Sequence, residues 1–411
     1  MFFVKSIPVT TRATVKNKCH ISSQNWFTAT NPSNSLDMLI RWLNMMSFQP
    51  EGEFILNLAM KNFLETLPHS QIAVLVEKPE NRRYLSGFTG SAGFLVITKG
   101  VPSLITDGRY ADQARAQADG WNIVVHKGDV VLVVKELLLE QRIQEVWFDA
   151  LFTSFDFHRR LADTLLPLGI ELAPQYELVE TLRQIKSSNE LENIDRAFEI
   201  TNHAFDYIFG ELHAGLTEHQ VSWMLERFMR EAGAEKIKEN HVVASGPRSA
   251  LPHGRATDRV IERGDFLTMD IGAVVNGYYA DMTRTVVIGK PATRQTEIYH
   301  LVLEAQLMAL DMMRPGLMCG QADDTIREFF RERGVDGNFA HTLGHAVGLE
   351  IHEKPGLRGS DATILHEGHV ITVEPGLYFP GWGGVRIEDP VVITASGHRN
   401  LATVTKELLS L

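Results

Sequence analysis

The chain has 411 residues, of which 44% are apolar and 22% charged, a composition typical of an ordinary globular protein with two or three domains. Its formal net charge is -11. That charge argues against sequence-independent binding to nucleic acid, which needs a surface rich in lysine and arginine. Only Cys19 and Cys319 occur, so the sequence offers neither a disulfide framework nor a zinc site built from cysteines, and it suits a reducing compartment.

The first 36 residues differ in composition from the rest of the chain. They are rich in serine and threonine, have no acidic residue before Asp37, and carry four basic residues: Lys5, Arg12, Lys16 and Lys18. This composition is compatible with an organellar transit peptide, but no amphipathic arginine-bearing helix and no small-residue cleavage site is evident. We therefore interpret residues 1–47 as a disordered leader, or as the product of an upstream start codon, and expect a cytoplasmic protein. An organellar location is the alternative.

Short apolar runs alternate with amphipathic stretches from residue 48 to residue 178, which predicts an N-terminal α/β domain. The predicted strands are Ile72–Val76, Gly93–Ile97, Leu104–Thr106 and Glu145–Phe148. The most apolar run, Val130–Leu139, contains Lys135 and is too short to cross a bilayer. The sequence therefore predicts no membrane-spanning segment.

A second domain is predicted for residues 179–411, where Ser187 and Glu190 form a capping box that starts a long helix. Beyond it lies a gapless internal repeat, with one copy from Gly215 to Gly233 and the other from Gly316 to Gly334. The matched positions between these glycines are Gln220 with Gln321, Phe228 with Phe329, Arg230 with Arg331, and Glu231 with Glu332. In each copy a glycine turn precedes an amphipathic helix that ends at a glycine. The repeat predicts two halves related by a pseudo-twofold axis, with the sheet inside and the helices outside.

Each half of the second domain carries a predicted hairpin with two carboxylates. In the first, Asn276-Gly277 is a strong signal for a type I′ turn, which would set Thr283 opposite Asp270 and Asp281 diagonally beside it. Two buried like charges are costly unless a cation lies between them, and a metal ion is a natural one. The alternative is that Asp281 only pairs with Arg284 at a solvated edge.

The second predicted hairpin joins Val370–Glu374 to Val385–Glu388 through a turn rich in glycine and proline. Before it, His341, His345 and His352 lie in a segment punctuated by glycines, where the backbone can approach closely. Taken singly, each histidine could be an ordinary structural residue. Together with the carboxylates they predict one shared site.

Four carboxylates and one histidine form a hard, oxygen-rich ligand set that suits two divalent ions and favours manganese, cobalt or iron. Two such ions activate a water molecule and polarise a carbonyl, which is the chemistry of hydrolysis. His253 and His352 could stabilise the tetrahedral intermediate or carry a proton to the leaving nitrogen, and Glu374 could accept the proton of the attacking water. The predicted ligands are Asp270, Asp281, His345, Glu374 and Glu388.

Several motifs identify a family resemblance that extends over residues 48–411. They are Ala250-Leu251-Pro252-His253-Gly254, Met269-Asp270-Ile271-Gly272, Ala280-Asp281-Met282-Thr283-Arg284-Thr285, Gly344-His345, His352-Glu353, Val373-Glu374-Pro375-Gly376 and Gly384-Val385-Arg386-Ile387-Glu388-Asp389. With them the chain resembles the pita-bread metallopeptidases, and among these the Xaa-Pro peptidases aminopeptidase P and prolidase. The N-terminal domain resembles that of creatinase and prolidase.

The resemblance implies that the five predicted ligands hold a dinuclear centre, with manganese the best candidate and cobalt, iron or zinc as alternatives. It gives His253, His341 and His352 roles toward the substrate and the transition state, and Glu374 the task of orienting the water. It also implies a homodimer. One departure is Ala346, where the family has glycine after the metal-binding histidine, and we expect its methyl group to narrow the pocket or to shift substrate preference.

The resulting prediction is an enzyme that removes the N-terminal residue of peptides with proline at the second position, without nucleic-acid or membrane partners. Prolidase, which cleaves only the dipeptide, is the alternative. A creatinase-like enzyme that cleaves a non-peptide C–N bond, or a catalytically dead binding module of the same fold, is disfavoured because all five ligands are present.

Overall fold

The computed structural model describes residues 57–411, so the predicted leader over residues 1–47 lies outside the described residues. The helices are α1 Leu58–Thr66, α2 Pro79–Ser86, α3 Ala111–Gln117, α4 Val130–Glu140, α5 Phe155–Leu165, α6 Leu178–Arg183, α7 Ser188–Glu211, α8 Glu218–Glu231, α9 Thr293–Met312 and α10 Cys319–Glu332. None of these helices is long and apolar enough to cross a membrane.

Nineteen strands occur in the described residues. Those of the N-terminal domain are β1 Ile72–Val76, β2 Phe94–Ile97, β3 Ser103–Asp107, β4 Asn122–His126, β5 Glu145–Asp149 and β6 Glu171–Gln175. Those of the C-terminal domain are β7 Lys236–Ile237, β8 Val242–Ser245, β9 Phe266–Ile271, β10 Ala273–Val275, β11 Tyr278–Tyr279, β12 Met282–Val287, β13 Gly344–Ala346, β14 Glu353–Leu357, β15 Val370–Val373, β16 Gly376–Phe379, β17 Gly383–Arg386, β18 Asp389–Ile393 and β19 His398–Asn400.

The N-terminal domain is built on one six-stranded mixed sheet in the order β4-β3-β2-β1-β5-β6. Strand β2 runs antiparallel to both of its neighbours, and the other pairs are parallel. Alternate residues of β1 belong to two separate apolar cores, with Val74 in one and Leu75 in the other. A strand buried on both faces reads as a continuous apolar run, which is why β1 was predictable.

The internal repeat corresponds to one helix in each half of the C-terminal domain. Helices α8 and α10 begin and end at matching positions of the two copies. The glycines before them, Gly215 and Gly316, have φ of 102° and 87°, and those after them, Gly233 and Gly334, have φ of 104° and 68°. Because a side chain disfavours this left-handed region, the glycines fix the two ends of each helix.

Each half of the C-terminal domain then adds a three-stranded antiparallel unit. The first is β8-β9-β12 and the second is β13-β15-β18, which belongs to a five-stranded sheet. Leu225 of α8 shares a core with Met269 of β9, and Ile326 of α10 shares another with Ile371 of β15. The predicted pseudo-twofold pita-bread arrangement is confirmed, with helices packed on one side of the strands.

The described residues belong to one compact unit. Lys78 of the N-terminal domain pairs with Glu350 of the C-terminal domain at 2.8 Å, and two cations of the connecting segment pair with the same region. The Arg183 guanidinium at the end of α6 is 2% exposed and pairs with Glu350, at 2.9 Å, and with Glu353. Lys186 pairs with Glu353 from the other side at 3.1 Å. The domain boundary predicted between residues 178 and 179 falls at the start of this junction and stays a prediction.

Candidate metal centre

The first carboxylate hairpin has the predicted turn and register. Asn276 and Gly277 have φ of 45° and 73°, and beyond them Thr283 pairs with Asp270. The hairpin is interrupted at Gly272, where a Cβ atom would lie 1.8 Å from a backbone oxygen of the facing chain. Only glycine allows this close approach, which brings Asp281 in beside Asp270.

The second hairpin repeats this design. Val373 pairs with Asp389 before the interruption and Gly376 pairs with Arg386 after it, so the register sets Glu374 opposite Glu388. The predicted hairpin is confirmed, although its two parts pair separately as β15 with β18 and β16 with β17. In both halves, the strand pairing of the hairpin is therefore interrupted next to the two carboxylate residues.

The alternative role for Asp281, an ion pair with Arg284 at a solvated edge, is wrong. Asp281 is 4% exposed, and the Arg284 guanidinium instead pairs with Asp389 at 2.8 Å. Arg284 also donates to the backbone oxygen of Glu388 at 2.7 Å, which ties the two halves together. The Asp281 carboxylate is therefore not held by Arg284.

A cavity of about 250 Å³ brings the predicted residues together. Its lining includes His253, Asp270, Asp281, His341, His345, His352 and Glu374. Glu388 lies beneath this surface, and one of its oxygens lies within 4.8 Å of a ligand atom of Asp281 and of His345. Residues that are up to 135 positions apart in the chain thus surround one small volume, as the sequence predicted.

The His345 ring is oriented so that one nitrogen is free for a metal ion. Its Nδ1 lies 3.0 Å from the backbone oxygen of Ala346, which can only accept a hydrogen bond, so Nδ1 carries the proton. Nε2 then presents its lone pair 3.4 Å from Glu374 Oε1 and 3.8 Å from Asp281 Oδ2. Such a backbone acceptor behind the ring is the usual support of a metal-binding histidine.

Glu388 provides a second indication of a cation site. Its Oε2 accepts a hydrogen bond from Thr283 Oγ1 at 2.7 Å, but its Oε1 is buried without a hydrogen-bond partner. A buried oxygen of this kind is costly unless a ligand satisfies it. The donor set therefore fits a divalent metal ion coordinated by oxygen and imidazole nitrogen.

Two cations that the sequence interpretation missed lie in the centre. The Lys238 ammonium pairs with both Asp270 and Asp281, and the Arg386 guanidinium pairs with Asp270 at 2.8 Å. Burial opposes a charged lysine, but the nearby carboxylates outweigh that effect and raise the pKa of Lys238. Arg386 precedes Glu388 by two residues in a quoted motif and could have been found there, whereas Lys238 belongs to no motif.

The carboxyl groups respond in opposite directions to this environment. Burial raises the pKa of Asp281 and of Glu374 to about 7, and it raises that of Glu388 well above its usual range. Burial acts on Asp270 in the same sense, but Lys238 and Arg386 outweigh it and lower the Asp270 pKa. Asp270 is thus ionised between two cations, whereas Asp281 pairs with Lys238 alone, and neither Glu374 nor Glu388 pairs with a lysine or arginine of the described residues.

His341 belongs to a chain of hydrogen bonds along the cavity wall. Arg386 Nη1 donates to the Tyr378 hydroxyl at 2.7 Å, and that hydroxyl donates to His341 Nε2 at 2.8 Å. His341 Nδ1 donates to the backbone oxygen of Thr342 at 2.8 Å. Burial lowers the pKa of His341 to about 4, so its ring is neutral and both of its nitrogens are engaged.

His253 and His352 are the more accessible histidines of the cavity, and both are exposed. The His352 ring lies 4.4 Å from the His345 ring, measured between centroids. Partial burial, together with nearby positive charge, lowers the pKa of His352 to about 4. At neutral pH it is therefore an uncharged group beside the candidate metal ligands.

Ala346 does not act on the cavity as the sequence suggested. It is fully buried and belongs to the apolar core beneath the second half, together with Ile371 and Leu357. The His345 ring lines the cavity, whereas the methyl group of Ala346 packs in the core. The expectation that this methyl group narrows the pocket is wrong.

We expect the stabilisation of the protein by Mn²⁺ to increase with pH. The folded, metal-free protein keeps protons on Asp281 and Glu374 up to about pH 7, whereas the unfolded chain loses them near pH 4. These groups therefore reduce the stability of the metal-free protein as the pH rises toward 7. Below pH 7, an ion that binds to them must displace their protons. Below pH 7 the affinity for Mn²⁺ should therefore rise with pH, by about tenfold per pH unit for each displaced proton.

Calorimetric titration with Mn²⁺ between pH 5 and pH 8 measures this dependence, and the melting temperatures with Mn²⁺ and with chelator give an independent value. Because the other titratable groups are common to both samples, their contributions cancel in the difference. An affinity that does not change over this range would contradict the assignment of these carboxyl groups to the metal.

Family models match most of the described chain. The model of metallopeptidase family M24 matches residues 192–395, and that of the creatinase/prolidase N-terminal domain matches residues 65–185. The chain is 40% identical over 338 residues to YqhT, an uncharacterized peptidase of Bacillus subtilis, a match that covers 82% of this chain and 95% of that protein.

Solved structures share the fold over both domains. The Xaa-Pro dipeptidase from Bacillus anthracis superposes with a TM-score of 0.81 at 39% identity, covering 86% of this chain and 98% of that one. The X-Pro aminopeptidase from Thermotoga maritima gives a TM-score of 0.79 at 35% identity, with the same coverage of 86% and 98%. The chain belongs to metallopeptidase family M24 and carries a creatinase/prolidase N-terminal domain before its metallopeptidase domain.

Proposed function

We propose that this protein is a metal-dependent exopeptidase that hydrolyses the bond between an N-terminal residue and a following proline. The observation that carries the proposal is the set of donors left without a proton or a partner in one cavity, namely His345 Nε2 and Glu388 Oε1, beside Asp281 and Glu374. Relatives with this fold are described as Xaa-Pro dipeptidases and aminopeptidases. General peptidases disfavour the bond because the proline nitrogen has no N–H and its ring restricts access.

The metal ligands come from the five residues predicted from the sequence, Asp270, Asp281, His345, Glu374 and Glu388. An oxygen-rich set suits Mn²⁺, with Co²⁺, Fe²⁺ or Zn²⁺ as alternatives. The sequence predicted two ions, and this number depends on Lys238, whose ammonium lies between two of the five ligands. A divalent ion supplies Lewis-acid chemistry, since it withdraws electrons from the substrate carbonyl and from the attacking water.

Glu374 acts as the proton acceptor of the reaction. Its carboxylate lines the cavity next to His345, and binding of the ion displaces its proton, so the ionised group can accept one. It takes the proton from the water that attacks the scissile carbonyl. The same proton then becomes available for the proline nitrogen, which must be protonated as it leaves.

The exposed histidines lie where a substrate would meet the cavity. His253 and His352 stabilise the oxyanion of the tetrahedral intermediate and pass a proton toward the leaving nitrogen. His341, whose two nitrogens are occupied by Tyr378 and a backbone oxygen, acts on the substrate by shaping the wall and holding Tyr378 in place. Its contribution is therefore one of positioning.

The space beside the centre favours aminopeptidase action over strict dipeptidase action. A second cavity of about 400 Å³ lies between the two domains and shares Thr342, His345 and His352 with the first. That volume can hold residues that follow the proline. Prolidase activity is the second candidate, because one of the similar solved structures is described as a dipeptidase.

We expect the purified protein, stripped of metal and then given Mn²⁺, to release alanine from the tripeptide Ala-Pro-Ala. It should hydrolyse Ala-Ala at least about 100-fold more slowly. Chromatography of the products over time measures both rates, with Ala-Pro as the third substrate. Cleavage of Ala-Pro alone would identify a prolidase instead. No cleavage of either proline peptide, with metal bound, would contradict the proposed function.

The homodimer implied by the family resemblance and the cytoplasmic location expected from the sequence remain predictions. Neither is required by the chemistry above, because every residue assigned to the site belongs to one chain.

A further inference from the structure

Lys238 occupies the position at which two of the predicted metal ligands converge. Its backbone N–H donates to the oxygen of Gly272 at 2.9 Å, which anchors it at the interruption of the first hairpin. Its side chain is 3% exposed, and its ammonium pairs with one oxygen of Asp270 and one of Asp281. The lysine is therefore part of the centre and not a surface residue that reaches toward it.

An ammonium in this position excludes a metal ion from the same position. Divalent ions bind carboxylate oxygens at about 2.0–2.6 Å, so an ion bridging Asp270 and Asp281 would have to lie where the ammonium nitrogen is. Both oxygens of Asp270 already accept a hydrogen bond from a cation, Oδ1 from Lys238 and Oδ2 from Arg386 at 2.8 Å, so Asp270 is already neutralised without an ion. A second ion would need to expel the lysine and leave its charge without a partner.

The remaining donors match one ion. His345 Nε2 lies 3.8 Å from Asp281 Oδ2 and 3.4 Å from Glu374 Oε1, and Glu388 Oε1 has no hydrogen-bond partner among the described residues. Ligands about 2.1 Å from a common ion lie about 3–4 Å from one another, which agrees with this spacing. Lys238 pairs with Oδ1 of Asp281, whereas His345 lies next to Oδ2.

The net charge of the centre also indicates one metal ion. Its four carboxylates face two permanent cations, Lys238 and Arg386, so two negative charges remain uncompensated. One divalent ion neutralises that charge. A second ion added beside the lysine would leave the buried centre with excess positive charge, which a low-dielectric site disfavours.

We propose that this protein holds a single divalent ion per chain, bound by Asp281, His345, Glu374 and Glu388, and that the Lys238 ammonium replaces the second ion between Asp270 and Asp281. This inference rests on the proposed function, since it concerns the same centre, and it revises the number of ions that the sequence predicted. It makes Asp270 a partner of Lys238 and Arg386 and not a ligand.

The number of bound ions tests the inference directly. Protein saturated with Mn²⁺ and freed of excess metal should contain one ion per chain by elemental analysis, and Lys238→Ala, which removes both the charge and the bulk, should contain two. Lys238→Arg keeps a cation and should contain one. Lys236→Ala is the matched control, because Lys236 is a half-exposed lysine nearby that pairs with Glu239.

Electron paramagnetic resonance of the Mn²⁺ proteins provides a second readout that does not depend on activity. The wild-type protein should give the spectrum of an isolated ion, and Lys238→Ala should give the exchange-coupled spectrum of two neighbouring ions. The wild-type spectrum alone tests the proposal if Lys238→Ala fails to fold. Two ions in the wild-type protein, or one ion in folded Lys238→Ala, would overturn the role of Lys238. No bound ion in the wild-type protein would instead contradict the proposed metallopeptidase function.

Discussion

Replacing Glu388 with glutamine should lower kcat/KM for Ala-Pro-Ala by at least about 10³-fold, because a lost ligand removes several kcal/mol of transition-state stabilisation. The amide can still accept the hydrogen bond from Thr283, so the local structure should persist. Steady-state kinetics measure the loss of kcat/KM, and Mn²⁺ titration measures the accompanying loss of metal affinity. Metal-free Glu388→Gln should melt at or above the wild-type temperature, because burial already disfavours the ionised form of Glu388.

Glu367→Gln is the matched control for that substitution. Glu367 is an exposed glutamate in the turn before β15, in the same half of the domain, and the same change there should leave both kcat/KM and metal affinity within about twofold. Wild-type activity in Glu388→Gln would contradict its assignment as a ligand. A large loss in the control would show that the kinetics report damage to the fold and not loss of the metal.

The two hairpins were predictable because their signals are local. Asn276-Gly277 determines the turn, the period of a strand then determines which residues face each other, and Thr283 opposite Asp270 follows from counting. The repeat from Gly215 was equally informative, since glycines with positive φ bound both helices. These features could be read from residues a short distance apart in the chain.

The features that the sequence did not reveal depend on contacts across the fold. Strands β4 and β6 lie at the two edges of the N-terminal sheet and are only partly buried, and the apolar run of β4 is only three residues long. Pro174 in β6 weakens the signal further, although an edge strand tolerates it. Ala346 was misjudged because the face of its strand that meets the core is set by distant helices.

Lys238 is the most consequential of these omissions. A lysine in the segment Lys236–Glu239 looks like an ordinary solvated charge, and it has no regular spacing from the carboxylates. Only the backbone hydrogen bond to Gly272 turns it toward Asp270 and Asp281, which lie 32 and 43 residues further along the chain. The five predicted ligands by themselves suggest two ions. The ammonium of Lys238 lowers the negative charge that metal ions have to neutralise.

Replacing Arg183 with methionine should destabilise the protein by about 3–5 kcal/mol, because it leaves the buried carboxylate of Glu353 with only one of its two cationic partners. Arg183 also donates to Asn81 at 2.7 Å in the N-terminal domain, so the junction between the domains loses more than one contact. Thermal unfolding should shift downward on the order of 5 °C or more. Because Glu353 follows His352 directly, we also expect a loss of kcat/KM on the order of tenfold.

The control for this prediction is an exposed ion pair, and a double mutant isolates the buried one. Arg196→Met removes a half-exposed pair with Glu199 and should cost no more than about 0.5 kcal/mol. Glu353→Gln should cost at least about 1 kcal/mol less in the Arg183→Met protein than in the wild type, because the carboxylate that it removes is by then under-compensated. If the two substitutions were additive, the buried pair would not be what joins the domains, and the stability of the junction would have to come from the apolar contacts around it.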